Sequence, residues 1–216
     1  MKIDRGYEDQ SFRRTWVLAN VVGLGVGMAL FATVAEGVER SGIVGSPESG
    51  DIVGHLIGLP LAGALFGFMQ WLVLRRYTTL SGWSALAAGA GLTVGYIMGY
   101  VLGGPPFDFI LAPTLAGLFI GCAQWLVLRQ RAERAGLWVL VSTVGFALGG
   151  IVGTAVAILG LGDALGGSYL AWIALNGVVC AVAGAVGALL TGGMLMRLLG
   201  ISALTPAAVS PTVTAR

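Results

Sequence analysis

The chain has 216 residues, of which 56% are hydrophobic, a further 36 are glycine and only 10% are charged, with a formal net charge of +2. An ordinary soluble domain carries about 25% charged residues, so this composition excludes a soluble globular protein. Intrinsic disorder is excluded too, because it requires low hydrophobicity and high net charge. The composition therefore predicts an all-α protein that crosses a membrane several times.

Six apolar stretches are long enough to cross about 30 Å of hydrocarbon, which takes roughly 20 helical residues. We predict transmembrane helices at residues 16–35, 56–74, 83–102, 109–128, 137–161 and 169–196. They form one membrane domain between an N-terminal tail, residues 1–15, and a C-terminal tail, residues 197–216, which we expect to be disordered.

The charges predict the orientation of these helices. Counted over the predicted tails and loops, one face carries 11 basic and 4 acidic residues, a net charge of +7. The other face carries only Arg40 and 6 acidic residues, a net charge of −5. Because basic residues concentrate on the cytoplasmic side, both termini are expected in the cytoplasm, with the protein in the inner (plasma) membrane.

An internal repeat is visible in the sequence. Residues 61–75 read LAGALFGFMQWLVLR and residues 115–129 read LAGLFIGCAQWLVLR, with 10 of 15 positions identical. A third copy ends at Arg197, where Gly192-Gly193 replace the Gln-Trp pair. The pattern predicts three parallel helical hairpins, 16–74, 83–128 and 137–196, the last one degenerate. They form either a pseudo-threefold bundle or a duplication without such symmetry.

Small residues recur one helical turn apart within the predicted spans. Such faces allow helix backbones to approach closely inside a membrane. We predict that they hold the six helices together or, alternatively, offer a face to a second subunit. The glycines concerned are Gly63, Gly67, Gly91, Gly95, Gly99, Gly117, Gly121, Gly145, Gly149 and Gly153.

Amides and tryptophans are the other features of the spans. Gln70 and Gln124 lie five residues before Arg75 and Arg129, about 7–8 Å inside the cytoplasmic boundary. Together with Asn20 and Asn176 they are candidates for interhelical hydrogen bonds or for a polar vestibule. Tryptophans near the span ends are expected to anchor the protein at the membrane interface. These are Trp16, Trp71, Trp83, Trp125 and Trp138.

Residues that carry chemistry are scarce in the predicted spans. None of the six has an interior Asp, Glu, Lys, Arg or His, which argues against a proton-coupled transporter or an intramembrane hydrolase. The single histidine, His55, cannot supply a three-ligand zinc site. Neither a phosphate-binding loop nor a nucleic-acid-binding segment is recognisable. We therefore expect no enzyme activity, no catalytic or metal-binding residue and no nucleic-acid partner, and no cofactor is implied.

The motif GxxxGxxQWLVLR, at residues 63–75 and again at 117–129, resembles a family of small, uncharacterised bacterial inner-membrane proteins that repeat this hairpin. The resemblance covers the first four spans clearly and the last two poorly. It implies an integral membrane protein, and it supplies no substrate, cofactor or catalytic residue.

Two functions remain open at this point. Abundant small-residue faces and little mass outside the bilayer favour an accessory or scaffold subunit, packed against other membrane subunits or a second copy in a larger assembly such as a bioenergetic complex. The alternative is a passive transporter or channel for a neutral or apolar solute. Its path would follow the pseudo-threefold axis, with Asn20, Gln70 and Gln124 at the cytoplasmic mouth.

Overall fold

The structure is a computed structural model, and it describes residues 5–43, 45–78, 82–103, 108–130, 132, 134–161 and 168–199. All regular structure in these residues is helical, and no strand occurs among them. Most of the predicted C-terminal tail, from residue 200 onward, lies outside the described residues, as does Asp163, which the charge count placed on the acidic face.

Six helices follow one another within the described ranges. The fifth of them ends in one π-helical turn, Ala157–Leu161, and the other five are α-helices throughout. Their bounds are Arg5–Ser41 (α1), Pro47–Tyr77 (α2), Trp83–Gly103 (α3), Asp108–Leu128 (α4), Gly136–Val156 (α5) and Tyr169–Leu198 (α6). All six are long and apolar enough to cross a membrane, which confirms the prediction of a multi-pass membrane protein.

The first two helices are longer than predicted, and this difference changes the outer loop. The sequence indicated a connection of about 20 residues between spans ending at 35 and beginning at 56. In the structure α1 continues to Ser41 and α2 begins at Pro47. Gly42, with φ of 64°, ends α1, and the Ser46 side chain accepts a hydrogen bond from the Ser49 N–H at the start of α2.

Each helix packs against the helices before and after it in the chain, and α6 packs against α1. The helices therefore form a closed ring in chain order. Neighbours are antiparallel: on α1 and α2, for example, Gly23 lies beside Phe66 and Gly27 beside Ala62. The ring closes through equally close contacts, because a Cβ on Gly184 of α6 would lie 2.7 Å from the Asn20 carbonyl oxygen of α1.

The two ends of the ring differ in charge. We name one end of the ring the arginine end. There the helices α2, α4 and α6 finish, beside Arg75, Arg129 and Arg197. The opposite end, which carries Glu36, Glu39 and Asp51, is called the acidic end. A buried apolar core fills the arginine end and a second core fills the middle of the ring.

Candidate functional site

A cavity of about 490 Å³ lies along the axis of the ring and, as far as the described residues go, is open at the acidic end, where it is lined by the exposed Glu39 and Tyr100. Volumes of roughly 300–1,000 Å³ are typical of pockets that bind a small molecule. All six helices contribute to the wall, represented by Met28, Leu59, Tyr96, Ala112, Thr154 and Cys180. The cavity is therefore a property of the whole ring and not of a gap between two helices.

The wall of the cavity is apolar and aromatic. Phe31, Tyr96 and Trp172 contribute aromatic rings, and the Cys180 side chain also lines the wall. Several other lining positions carry small side chains, which leave space between the helices. They include Ala32, Ala35, Ala112, Gly150, Gly153 and Ala183.

Three side chains form a compact cluster at the mouth, which we name the rim cluster: Asp51, His55 and Tyr100. His55 Nδ1 lies 2.9 Å from the Asp51 carbonyl oxygen and 3.2 Å from Asp51 Oδ1. The Tyr100 hydroxyl donates a hydrogen bond to Asp51 Oδ2, and the Tyr100 ring stacks on the imidazole with centroids 4.4 Å apart. Since Tyr100 belongs to α3 and the other two to α2, the cluster joins two helices at the mouth.

Helix α1 brings two more carboxylates to the mouth. Glu36 and Glu39 line the cavity, and Glu36 Oε1 accepts a hydrogen bond of 2.5 Å from Arg40 Nε. The Arg40 guanidinium also lies over the Tyr169 ring, 4.8 Å from its centroid. Glu36 is largely buried whereas Arg40 is exposed, so this pair lies at the edge of the bundle.

Toward the arginine end, a chain of buried hydrogen bonds crosses the ring. Trp138 Nε1 donates to Gln124 Oε1, and Gln124 Nε2 donates to Gln70 Oε1, both at 2.8 Å. Gln70 Nε2 then donates to Asn20 Oδ1 at 2.9 Å, and Asn20 Nδ2 donates to the Trp16 carbonyl oxygen. We name Asn20, Gln70 and Gln124 the amide layer.

The series of hydrogen bonds continues on the far side of α1. Trp16 Nε1 donates to Thr191 Oγ1 at 3.1 Å, which links α1 to α6. Thr191 in turn donates to the Gly187 carbonyl oxygen of its own helix. The hydrogen bonds thus connect α5, α4, α2, α1 and α6 within one layer.

Beyond the amide layer, large side chains close the axis. The residues immediately before the three terminal arginines, Leu74, Leu128 and Met196, are buried, and Phe12 and Leu195 pack with them. A space of only about 10 Å³ remains beside Leu74, Leu128 and Leu195, at the lower limit of about 10–15 Å³ for a single water molecule. The buried side chains therefore seal this end against a solute.

The predicted amides therefore have two different positions. Asn20, Gln70 and Gln124 meet one another as interhelical hydrogen-bond partners, and they do not line the cavity. Leu59, which lines the cavity, is 11 residues from Gln70, or about 16 Å along α2. Asn176 does line the cavity, and its Nδ2 donates to the Trp172 carbonyl oxygen on the same helix.

The predicted tryptophan anchors also differ among themselves. Trp16 and Trp138 are only 1% and 2% exposed, so the anchoring role predicted for them is wrong: their indole N–H groups bond inside the bundle. Trp83 is 72% exposed. Trp71 and Trp125 are partly exposed at the arginine end, under the guanidinium groups of the arginines four residues later.

All ten predicted packing glycines contact a neighbouring helix of the same chain. Gly63 and Gly67 of α2 face α3, and the three glycines of α3 face α4. Gly117 and Gly121 of α4 face α5, and the three glycines of α5 face α6. The small-residue faces are thus used within the ring.

Sequence reasoning missed the rim cluster and its neighbouring carboxylates, because it assigned residues 36–55 to a loop. Two spacings carried the signal: Glu36 and Glu39 are three residues apart, and Asp51 and His55 are four apart. Residues three and four apart lie on one helix face. Because α1 and α2 remain helical up to the short turn that joins them, these two faces come together.

A comparison of the chain with protein-family models, with curated proteins and with solved structures finds no match.

Proposed function

We propose that this protein is a non-enzymatic, solute-binding membrane transporter whose ligand occupies the central cavity. The single observation that carries the proposal is a cavity of about 490 Å³, lined by all six helices, open at one end and sealed at the other. Its apolar and aromatic wall fits a solute with an apolar body. The sealed arginine end argues for a carrier and against a permanently open channel.

The alternative function, a scaffold subunit, loses its main support in this arrangement. Its motivation was an excess of small-residue faces that could receive a partner. Each of the ten glycines concerned packs against a helix of the same chain, so none of these faces is left for another subunit. The cavity, by contrast, is unfilled by any described side chain of the protein.

We propose that the ring is built from three pseudo-threefold hairpins. Two hydrogen bonds support this arrangement. Trp138, at the start of the third hairpin, bonds to Gln124 near the end of the second. Trp16, at the start of the first hairpin, bonds to Thr191 near the end of the third. Thr191 is adjacent to Gly192, which occupies the sequence position of the repeated glutamine.

We further propose that the protein lies in the inner membrane with both termini in the cytoplasm, so that the cavity opens away from the cytoplasm. The support is the charge distribution of the sequence, with net charges of +7 and −5 counted on the two faces. Cytoplasmic loops are rich in Lys and Arg, which matches the arginine end.

The proposed function is tested by filling the cavity. Thr154→Trp places a large ring in the cavity, whereas Ile151→Trp, less than one turn away on α5, changes an exposed apolar side chain. The protein in neutral detergent is mixed with the neutral apolar dye N-phenyl-1-naphthylamine and analysed by native mass spectrometry.

We expect one dye per chain in the wild type and in Ile151→Trp, and none in Thr154→Trp. Equal dye binding in all three, or none in the wild type, would contradict the proposal. As a check on the scaffold alternative, the tagged protein is purified from its own membranes. Stoichiometric protein partners, together with an empty cavity, would restore that alternative.

A further inference from the structure

We infer that the ligand of the cavity is a monovalent organic cation with an apolar body. This inference rests on the proposed function, because it assigns a chemical class to the solute of the same cavity. Three features of the described residues carry it: the charge of the mouth, the aromatic rings around it and the absence of a metal-binding group.

The charge of the mouth is negative. Glu36, Glu39 and Asp51 line the cavity from two helices, and no Lys or Arg occurs among the described lining residues. Arg40 bonds to Glu36 and offsets part of this charge from outside the cavity. Charges that face a cleft with low-dielectric walls act more strongly than charges on an open surface. A cation is therefore attracted to the mouth and an anion is repelled.

Aromatic rings surround the same mouth. Phe31, Tyr96, Tyr100 and Trp172 line the cavity together with the imidazole of His55. The faces of such rings attract cations, and the attraction increases when the cation has lost its water. The rings also bury apolar groups, so the combination suits an organic cation better than a hydrated inorganic one.

A metal ion fits the cavity poorly. Among the described residues, no group of three or more His, Cys, Asp or Glu side chains is arranged to hold a metal. The Asp51 carboxylate already accepts the Tyr100 hydroxyl and lies beside His55, which keeps it at the rim. The carboxylates thus surround the mouth of an apolar cavity without converging on one point.

The test uses two probes of nearly the same shape and opposite charge, tetraphenylphosphonium and tetraphenylborate. Their binding to the purified protein in neutral maltoside detergent is measured by equilibrium dialysis, with protein-free micelles subtracted. We expect tetraphenylphosphonium to bind the wild type about tenfold more tightly than tetraphenylborate, or better, because partly buried negative charges attract the cation and repel the anion.

Two variants sharpen the test in opposite directions. The triple variant Glu36→Gln, Glu39→Gln, Asp51→Asn should bring the two affinities to within about threefold of each other, since the charge that separates them is removed. Arg40→Gln should increase the affinity for tetraphenylphosphonium about twofold to threefold, because it leaves Glu36 without its basic partner. Circular dichroism and a monodisperse size-exclusion profile show that both variants are folded.

Each outcome has a distinct meaning. Equal affinities in the wild type, tighter binding of tetraphenylborate, or an unchanged preference in a folded triple variant would overturn the cation assignment while leaving the proposed function intact. Failure of the wild type to bind either ion or the neutral dye would overturn both. If the triple variant does not fold, the wild-type preference and the Arg40→Gln result still decide the matter.

Discussion

The sealed and open halves of the ring are built from the same six helices, yet they differ in what points toward the axis. At the arginine end, Phe12, Trp16, Trp138 and Leu195 fill the centre with large side chains. At the acidic end, alanines and glycines lie between the aromatic rings of the wall, and space beside them stays open. The difference shows that the size of inward side chains, and not helix spacing alone, decides where a ring of helices holds a cavity.

Polar groups follow the same division. In the sealed half, the amide layer is satisfied by interhelical hydrogen bonds between its own side chains. In the open half, Asn176 bonds only within its own helix and the carboxylates surround the mouth. We therefore expect substitutions in the sealed half to change the free energy of unfolding, and substitutions in the open half to change ligand binding.

The largest effect is expected where helix backbones touch. A Cβ on Gly91 would lie 2.6 Å from the Ile120 Cα, so Gly91→Ala forces two backbones apart. At Gly145, the corresponding position of the third hairpin, the nearest atom would be 3.4 Å away, which is an ordinary contact distance. We expect Gly91→Ala to lower the free energy of unfolding by about 1–3 kcal/mol or more, and Gly145→Ala by less than about 0.5 kcal/mol.

Unfolding of both variants in a mixture of mild detergent and dodecyl sulfate, followed by circular dichroism, measures this difference. Equal stability of the two alanine variants would show that the α3–α4 contact is looser than the structure has it.

A smaller effect is expected at the amide layer. Gln70→Leu removes the residue that both donates to Asn20 and accepts from Gln124, and leaves two buried amides each without one partner. Interhelical hydrogen bonds in membranes contribute about 0.6 kcal/mol each on average, so losing two should lower the free energy of unfolding by about 1 kcal/mol. Binding of the neutral dye should be unchanged, since Gln70 does not line the cavity.

Asn176→Leu is the matched amide in the open half. Its hydrogen bond stays within α6, so its stability should change by less than about 0.5 kcal/mol while binding in the cavity changes. The same unfolding assay and the dye assay are applied to both variants. A Gln70→Leu protein as stable as the wild type, or one with altered dye binding, would break the proposed separation of the two halves.

The smallest effect is expected at Ser142, which lies 1% exposed between α4 and α5. Its hydroxyl is the one buried side-chain polar atom without a hydrogen-bond partner among the described residues. A buried hydroxyl without a partner contributes nothing to stability, so Ser142→Ala should leave the unfolding free energy unchanged or raise it by up to about 1 kcal/mol. Loss of stability in the same unfolding assay would mean that this hydroxyl has a partner.

The sequence predicts the membrane class and the six helices, because long apolar runs allow no other solution in a bilayer. It also places Asn20, Gln70 and Gln124 at one depth, since each precedes or follows a cytoplasmic boundary by a few residues. Which amide bonds to which depends on the order of helices around the ring, and linear spacing does not contain that order.

The cavity is harder to foresee. The residues at its mouth include Glu36, Glu39, Asp51 and His55, which are charged or polar and lie outside the apolar runs. A reading based on hydropathy assigns such residues to a loop, although helices continue through them. Likewise Trp16 and Trp138 occur where interface anchors are common, and only the packing of the ring shows that they face inward.

Thiol labelling along α5 tests whether one half of the axis is open to water and the other half is sealed. Thr154→Cys and Ser142→Cys are introduced separately after Cys122 and Cys180 have been replaced by alanine. The two positions are 12 residues apart on the same helix, about 18 Å, one lining the cavity and one buried in the sealed half. A membrane-impermeant maleimide is added to right-side-out vesicles. We predict that Thr154→Cys is labelled and that Ser142→Cys is labelled only after denaturation, whereas equal labelling of both, or of neither, in the folded protein would contradict the account.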